Sequence, residues 1–278
     1  MTFSDLEVAV SLSSRKHGYV RDNIFSIWTP GGGTVQYGYS RELAGAMLCE
    51  ADEFFDRALA LYLMRTHLRD LQASTWAGVA TYYTNYFAAL SFIRLHMSSV
   101  TQIAGGQVFE VTRVDNQSPY FKIRQRSERQ RHAVVWRDYY DAVTQMGWPD
   151  QVTVNDLAPS LGSLRFREQV YRERINYRPG EGFDEIHLAR TRYLKSLKVT
   201  LVDDGGPPAV LSDAAYTDRM AVQRLKHVAT LFRRLSRLRL DVDVEVSLWN
   251  KRKDIVAKYA FDQNDRRIGS SVIGDDGV

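Results

Sequence analysis

The sequence predicts a mainly α-helical protein: a helical bundle with one short inserted β-hairpin. Three observations carry this expectation. Apolar residues recur every three to four positions over long stretches after Ser40, after Ser74 and after Ser212. The link between the first two stretches is short, as an antiparallel helix pair requires. Residues 107–124 lose the helical period and gather valines and aromatics on both sides of the turn "DNQSP".

Residues 1–39 read as an N-terminal segment. Leu6, Val8, Val10 and Leu12 fit a short helix after Ser4 or a strand. "WTPGGGTVQYGYS" reads as a loop, because its glycines lack the lysine and helix cap of a phosphate loop. A helix capped by Ser40 follows, with Leu43, Met47, Ala51, Phe54, Ala58, Leu61, Tyr62 and Leu68 as its apolar positions. A second helix, capped by Ser74 or Thr75, runs toward Val100 with Ala80, Tyr83, Phe87, Leu90 and Arg94 in its stripe.

The hairpin spans residues 107–124, and a lone hairpin must lie on the helices or pair with another strand. Helix returns at "SERQRHAVVWRDYYDAVTQM", with Ser127 as cap and Val135, Tyr139, Val143 and Met146 as stripe. These pieces make residues 40–146 one helical bundle. Residues 147–265 form a C-terminal helical part packed on the same bundle. It contains a helix in "SLRFREQVYRERINY", a long helix capped by Ser212 and one more helix before Phe261. Residues 266–278, rich in Gly, Ser and Asp, read as a flexible tail.

The totals exclude several classes. With 278 residues, 44% hydrophobic and 25% charged, the chain is an ordinary globular protein. The single cysteine, Cys49, forms no internal disulfide and fits a reducing compartment. Glu50 and Asp52 beside it disfavour a thiolate, so it reads as a buried structural residue. Every apolar run is broken by charge before about 18 residues, and no basic leader opens the chain, so the expectation is a cytoplasmic protein without a membrane span. No two of the six histidines stand at i, i+4, and no nucleophile elbow or Walker loop appears. No metal and no cofactor are expected.

The net charge of +4 is concentrated in Lys122–Arg137, Arg165–Arg178 and Arg224–Arg239, where arginine outweighs lysine. Guanidinium groups fork onto phosphates and stack on bases, so RNA contact is one reading, with Arg124, Arg129, Arg131, Arg174 and Arg178 as the binding residues. Pairing with acids of residues 41–70 and 241–265 is the other.

One spacing carries chemistry. Arg126 and His132 are separated by five residues in "RSERQRH". Metal-free RNA cleavage needs a group that moves protons near neutral pH, which imidazole does, and a cation for the phosphate, which guanidinium supplies. Six residues of regular helix turn through about 600°, so the two groups can converge only if Arg126 precedes the helix proper.

Arg126 and His132 near the start of a helix in an all-helical domain resemble the HEPN superfamily of RNases. "TYYTNYFAALSFIRLHM" is also similar to that superfamily, with paired aromatics followed by small residues. The resemblance covers residues 40–146. It implies a metal-independent endoribonuclease acting in a toxin–antitoxin or antiphage defence system, commonly as a homodimer. In it Arg126 would hold phosphate and His132 would transfer protons. "RINYR", Arg174 to Arg178, is similar to non-catalytic HEPN-like proteins, in which the tyrosine packs and the asparagine caps a turn. A non-catalytic helical subunit that binds a partner protein, an antitoxin or RNA in a larger defence complex therefore stands beside the nuclease. A basic nucleic-acid-binding protein without hydrolytic chemistry is a third reading.

Overall fold

The computed structural model describes residues 34–37, 41–71, 73–96, 98–102, 108–113, 121–126, 132–145, 167–177, 213–239, 242–260 and 262–273. The protein is mainly helical, as its apolar periodicity requires. The described helices are α1 (Arg41–Asp70), α2 (Ser74–Leu95), α3 (His132–Gln145), α4 (Arg167–Tyr177), α5 (Asp213–Arg239), α6 (Val242–Tyr259) and α7 (Gln263–Ile273). The strands are β1 (Thr34–Tyr37), β2 (Ser98–Gln102), β3 (Val108–Arg113) and β4 (Phe121–Arg126). Two compact units result: residues 1–54, 89–149 and 230–248, and residues 55–88, 150–229 and 249–278.

The first unit holds the sheet. The expected hairpin is present as β3 and β4, in register from Val108 opposite Arg126 to Arg113 opposite Phe121. It is the centre of a larger antiparallel sheet in the order β1-β4-β3-β2. Both outer strands come from stretches that read otherwise in the sequence. Thr34–Tyr37, read as loop, pairs with β4; its Thr-Val-Gln-Tyr composition suits a strand. Ser98–Gln102, whose beginning read as the end of a helix, pairs with β3.

Helix α2 stops at Leu95 because Arg94 holds the chain that follows. The Arg94 guanidinium donates to the carbonyls of Ser98 at 3.2 Å and Val100 at 3.5 Å, and its Nε donates to Glu50 at 2.6 Å. Arg94, placed by its spacing in an apolar stripe, is thus a buried ion-paired residue. In the same unit Phe92, Val100, Phe109, Val111, Phe121, Ile123, Trp136 and Tyr139 are buried. The Phe92 and Tyr139 rings meet edge to face at 5.3 Å.

The second unit is helical among its described residues, and its core is strongly polar in places. Phe55, Leu59, Tyr62, Leu63, Tyr82, Tyr171, Met220 and Leu225 supply apolar volume. Among them Arg224 of α5 pairs with Glu168 of α4 at 2.6 Å, and its side chain and that of Glu168 are 2% and 0% exposed. Asn85 of α2 accepts from Arg224 and donates to the Thr217 carbonyl at 2.8 Å. Arg65 and Arg69 of α1 both reach Asp218 of α5 at 2.9 Å. Arg252 of α6 reaches Asp56 of α1 at 3.3 Å. Burial alone would raise Asp218, but the Arg65 and Arg69 charges outweigh it and hold its pKa below the ordinary carboxylate value. Burial pushes the Tyr62 hydroxyl up to about 12, with Arg65 opposing.

Residues from 266 onward, read as a flexible tail, instead continue α7 as far as Ile273. Asp262 caps this helix by accepting from the Asp265 amide at 2.7 Å. Thr66 donates to Asp265 at 3.0 Å, and Val272 is fully buried. The glycine that suggested flexibility, Gly269, is a contact point: a Cβ there would stand 2.9 Å from both γ carbons of Val256. Cys49 is half-buried rather than buried.

Gly269→Ala therefore lowers stability despite alanine's helix preference of about 1 kcal/mol, because overpacking costs about 1–3 kcal/mol. In a Val256→Ala background the same substitution becomes neutral or stabilising. Urea unfolding of the four chains measures both signs.

Candidate functional site

Hairpin geometry gathers charge on one face of the sheet. Glu110 on β3 stands directly opposite Arg124 on β4. Opposed residues of an antiparallel pair share a face, and so do residues two apart on one strand. Glu110, Arg124 and Arg126 are therefore neighbours on the same side, while Val111 and Ile123 fill the other, both fully buried. Glu110 lies between the two guanidinium groups: one carboxylate oxygen accepts from Arg124 Nε and the other from an Arg126 terminal nitrogen.

Asp138 of α3 closes the cluster. Both its oxygens accept from Arg126, at 3.2 and 3.3 Å. The Arg126 side chain is 12% exposed, against 8% for Glu110 and 10% for Asp138, whereas Arg124 is 53% exposed. Arg126 is thus a largely covered bridge between sheet and helix, with its donors directed at two carboxylates.

The titration behaviour follows. Burial works against the Glu110 charge, yet hydrogen bonds from Arg126 and Arg124 outweigh it and hold its pKa below 4.5. For Asp138 burial dominates and raises the pKa above 3.8, with Arg126 opposing. Burial disfavours the Arg126 charge as well, but the Glu110 hydrogen bond and the Asp138 charge more than restore it.

Of the residues singled out in the sequence, Arg126 does precede the helix: it ends β4, and His132 begins α3, half-exposed. The ion pairs of Arg126 are with Glu110 and with Asp138 of α3. Asp138 lies six residues beyond His132, which on a regular helix is about 9 Å along the axis and about 120° around it. Arg126 and Arg124 come together around Glu110. Arg174 is half-buried on α4, in the second unit. Arg129, Arg131, Arg178 and the proposed cap Ser127 lie outside the described residues. The basic stretch from Arg224 is also reassigned in part, because Arg224 is a core residue paired with Glu168. His67 sits in the last turn of α1, its Nε2 at 2.9 Å from the Tyr259 carbonyl. No group of three or more His, Cys, Asp or Glu suited to a metal occurs among the described residues. No described helix is long and apolar enough to cross a membrane.

Glu110 and Asp138 were the residues missed by motif reading. A hairpin centred on "DNQSP" places position 110 opposite 124, so an acid flanked by valine and phenylalanine in "VFEVTR" was the available signal for Glu110. Asp138 had none, because its partner depends on where α3 docks.

Folded Glu110 titrates below 4.5, so its stabilising contribution is complete above that pH and is lost as pH falls through the lower folded value. Asp138 has the opposite sign: between 3.8 and its raised folded value the native state is the better proton acceptor, and that advantage is lost as pH rises. Glu110→Gln should cost about 2 kcal/mol at neutral pH. The deficit against the parent chain should shrink below about pH 4. Urea unfolding at neutral and acid pH measures this convergence.

No family model matches the chain, and no curated protein and no solved structure is similar to it.

Proposed function

We propose that the chain is a non-catalytic HEPN-like helical subunit that binds a partner protein or RNA within a larger defence complex. The observation that carries this reading is the Glu110–Arg126–Asp138 bridge. A phosphate-binding arginine must offer free donors and net positive charge to its substrate. Arg126 directs donors from both terminal nitrogens to two carboxylates, Glu110 and Asp138. Its partner on α3, Asp138, stands about 9 Å along that helix from His132. A guanidinium so placed holds the hairpin to the helix.

The binding role draws on the half of the cluster that is open. Arg124 is 53% exposed while sharing Glu110 with Arg126. The Arg137 side chain is 41% exposed near Asp138. Exposed guanidinium groups on a rigid sheet and helix suit phosphate or carboxylate contacts from a partner. The defence setting and the RNA alternative rest on the resemblance of residues 40–146 to HEPN proteins.

The purified chain should cleave no RNA, alone or with its partner, and His132→Ala should behave as the parent does. Arg126→Ala should unfold at lower urea concentration, because it leaves Glu110 and Asp138 buried without their shared cation, a loss of about 3 kcal/mol. Gel assays of RNA incubated with each variant give the first result, and urea titration gives the second. Cleavage that disappears in His132→Ala would establish the endoribonuclease instead.

A further inference from the structure

The turn between α1 and α2 carries the two most exposed large apolar side chains among the described residues: Leu71 is 75% exposed and Trp76 66%. The backbone beneath them is tied down. The Leu71 amide donates to the His67 carbonyl at 3.0 Å, the Ala73 amide to the Leu68 carbonyl at 2.8 Å, and the Ala77 amide to the Ala73 carbonyl at 2.9 Å. Side chains exposed to this degree stand proud of the surface rather than lining a groove. They can enter a partner but not enclose one.

Three other helix ends of the second unit meet the same turn. His67 Nε2 lies 2.9 Å from the carbonyl of Tyr259, the last residue of α6. Thr66 donates to Asp265 in the first turn of α7, and Arg69 donates to Asp218 near the start of α5. Each contact has an exposed cation beside it: Lys258 before Tyr259, Arg266 and Arg267 after Asp265, and Arg219 after Asp218. Asp218 and Asp265 are buried. The exposed acids of this neighbourhood are Asp70 and Asp262, and Asp262 caps α7. The tip is therefore apolar at its point and mainly positive around it.

This combination suits a negatively charged bilayer surface. A tryptophan ring settles at the boundary between headgroups and acyl chains, and a leucine beside it adds apolar burial. Cations close behind are drawn to anionic headgroups. The two apolar side chains offer on the order of 300 Å². A standard protein interface buries about 800 Å² on each partner, so the tip alone matches an interfacial anchor better than a protein contact.

We propose that the α1–α2 turn docks on an anionic lipid surface, with Leu71 and Trp76 entering the interface and Arg219, Lys258, Arg266 and Arg267 facing the headgroups. This is attachment to a surface: no described helix is long and apolar enough to cross a membrane. It uses the second unit and neither Arg126 nor His132, so it holds whether or not the chain binds RNA.

Co-sedimentation of the full chain with lipid vesicles tests this. The parent should pellet with vesicles of equimolar phosphatidylserine and phosphatidylcholine and stay in solution with phosphatidylcholine alone. High salt should release it. Trp76→Ser and Leu71→Ser should each weaken binding about tenfold. Lys258→Glu combined with Arg266→Glu should weaken it at least as much. All four side chains are exposed, so every variant should keep the circular dichroism of the parent. A parent that ignores anionic vesicles, binds both compositions alike, or binds equally well in the Trp76 and Leu71 variants overturns the proposal. So does a parent that ignores vesicles yet forms a dimer broken by Trp76→Ser, which would assign the tip to a second copy.

Discussion

A guanidinium taken out of water needs a carboxylate within reach, and this constraint organises the protein. Arg94, Arg126, Arg224 and Arg252 are all buried or nearly so, and each is met by an acid from a different element. An apolar contact tolerates sliding by a fraction of a turn; a forked ion pair does not. Arg224 with Glu168 and Asn85 fixes where α5, α4 and α2 stand along one another. Arg126 does the same for β4, β3 and α3. In the second unit apolar side chains supply volume and the arginines supply register.

The same constraint explains why the charge pattern misleads when read linearly. Three arginine-rich stretches suggest a basic surface. Yet Arg224 is 2% exposed, and Arg172 lies over the Tyr82 and Tyr83 rings. Pairing can span 56 positions, as with Glu168 and Arg224, and a linear scan has no access to it. Arg126 and His132 were legible as a spacing. The fate of the Arg126 side chain was not, because Asp138 becomes its neighbour only when α3 docks on the sheet.

Much of the fold was legible. The periods marking α1, α2 and α5 located them closely, because uninterrupted spacing over many turns is hard to mimic by chance. The β3–β4 hairpin was legible from its valines, aromatics and turn. The outer strands were not, since five residues such as "SSVTQ" carry little signal and take their structure from the strand beside them. Glycine was misread at Gly269, where the missing side chain makes room for Val256. The apolar stripe assigned to α1 also merged two faces. Met47, Ala58 and Tyr62 are buried, whereas Phe54, Leu61 and Leu68 remain partly open.

The order of strands in the sheet carries a consequence for how the chain reaches its native state. β3 and β4 are nearest neighbours in sequence, and closing their connection costs little entropy. β1 must instead find β4 across the interval from Thr34 to Arg124, with α1 and α2 between them. Among the described strands β1 closes the longest loop, and until it pairs the sheet edge along β4 stays open. Ribosome-bound or partly refolded chains present that edge to any extended peptide nearby, so the speed at which residues 34–37 arrive sets how long the nascent protein is open to aggregation.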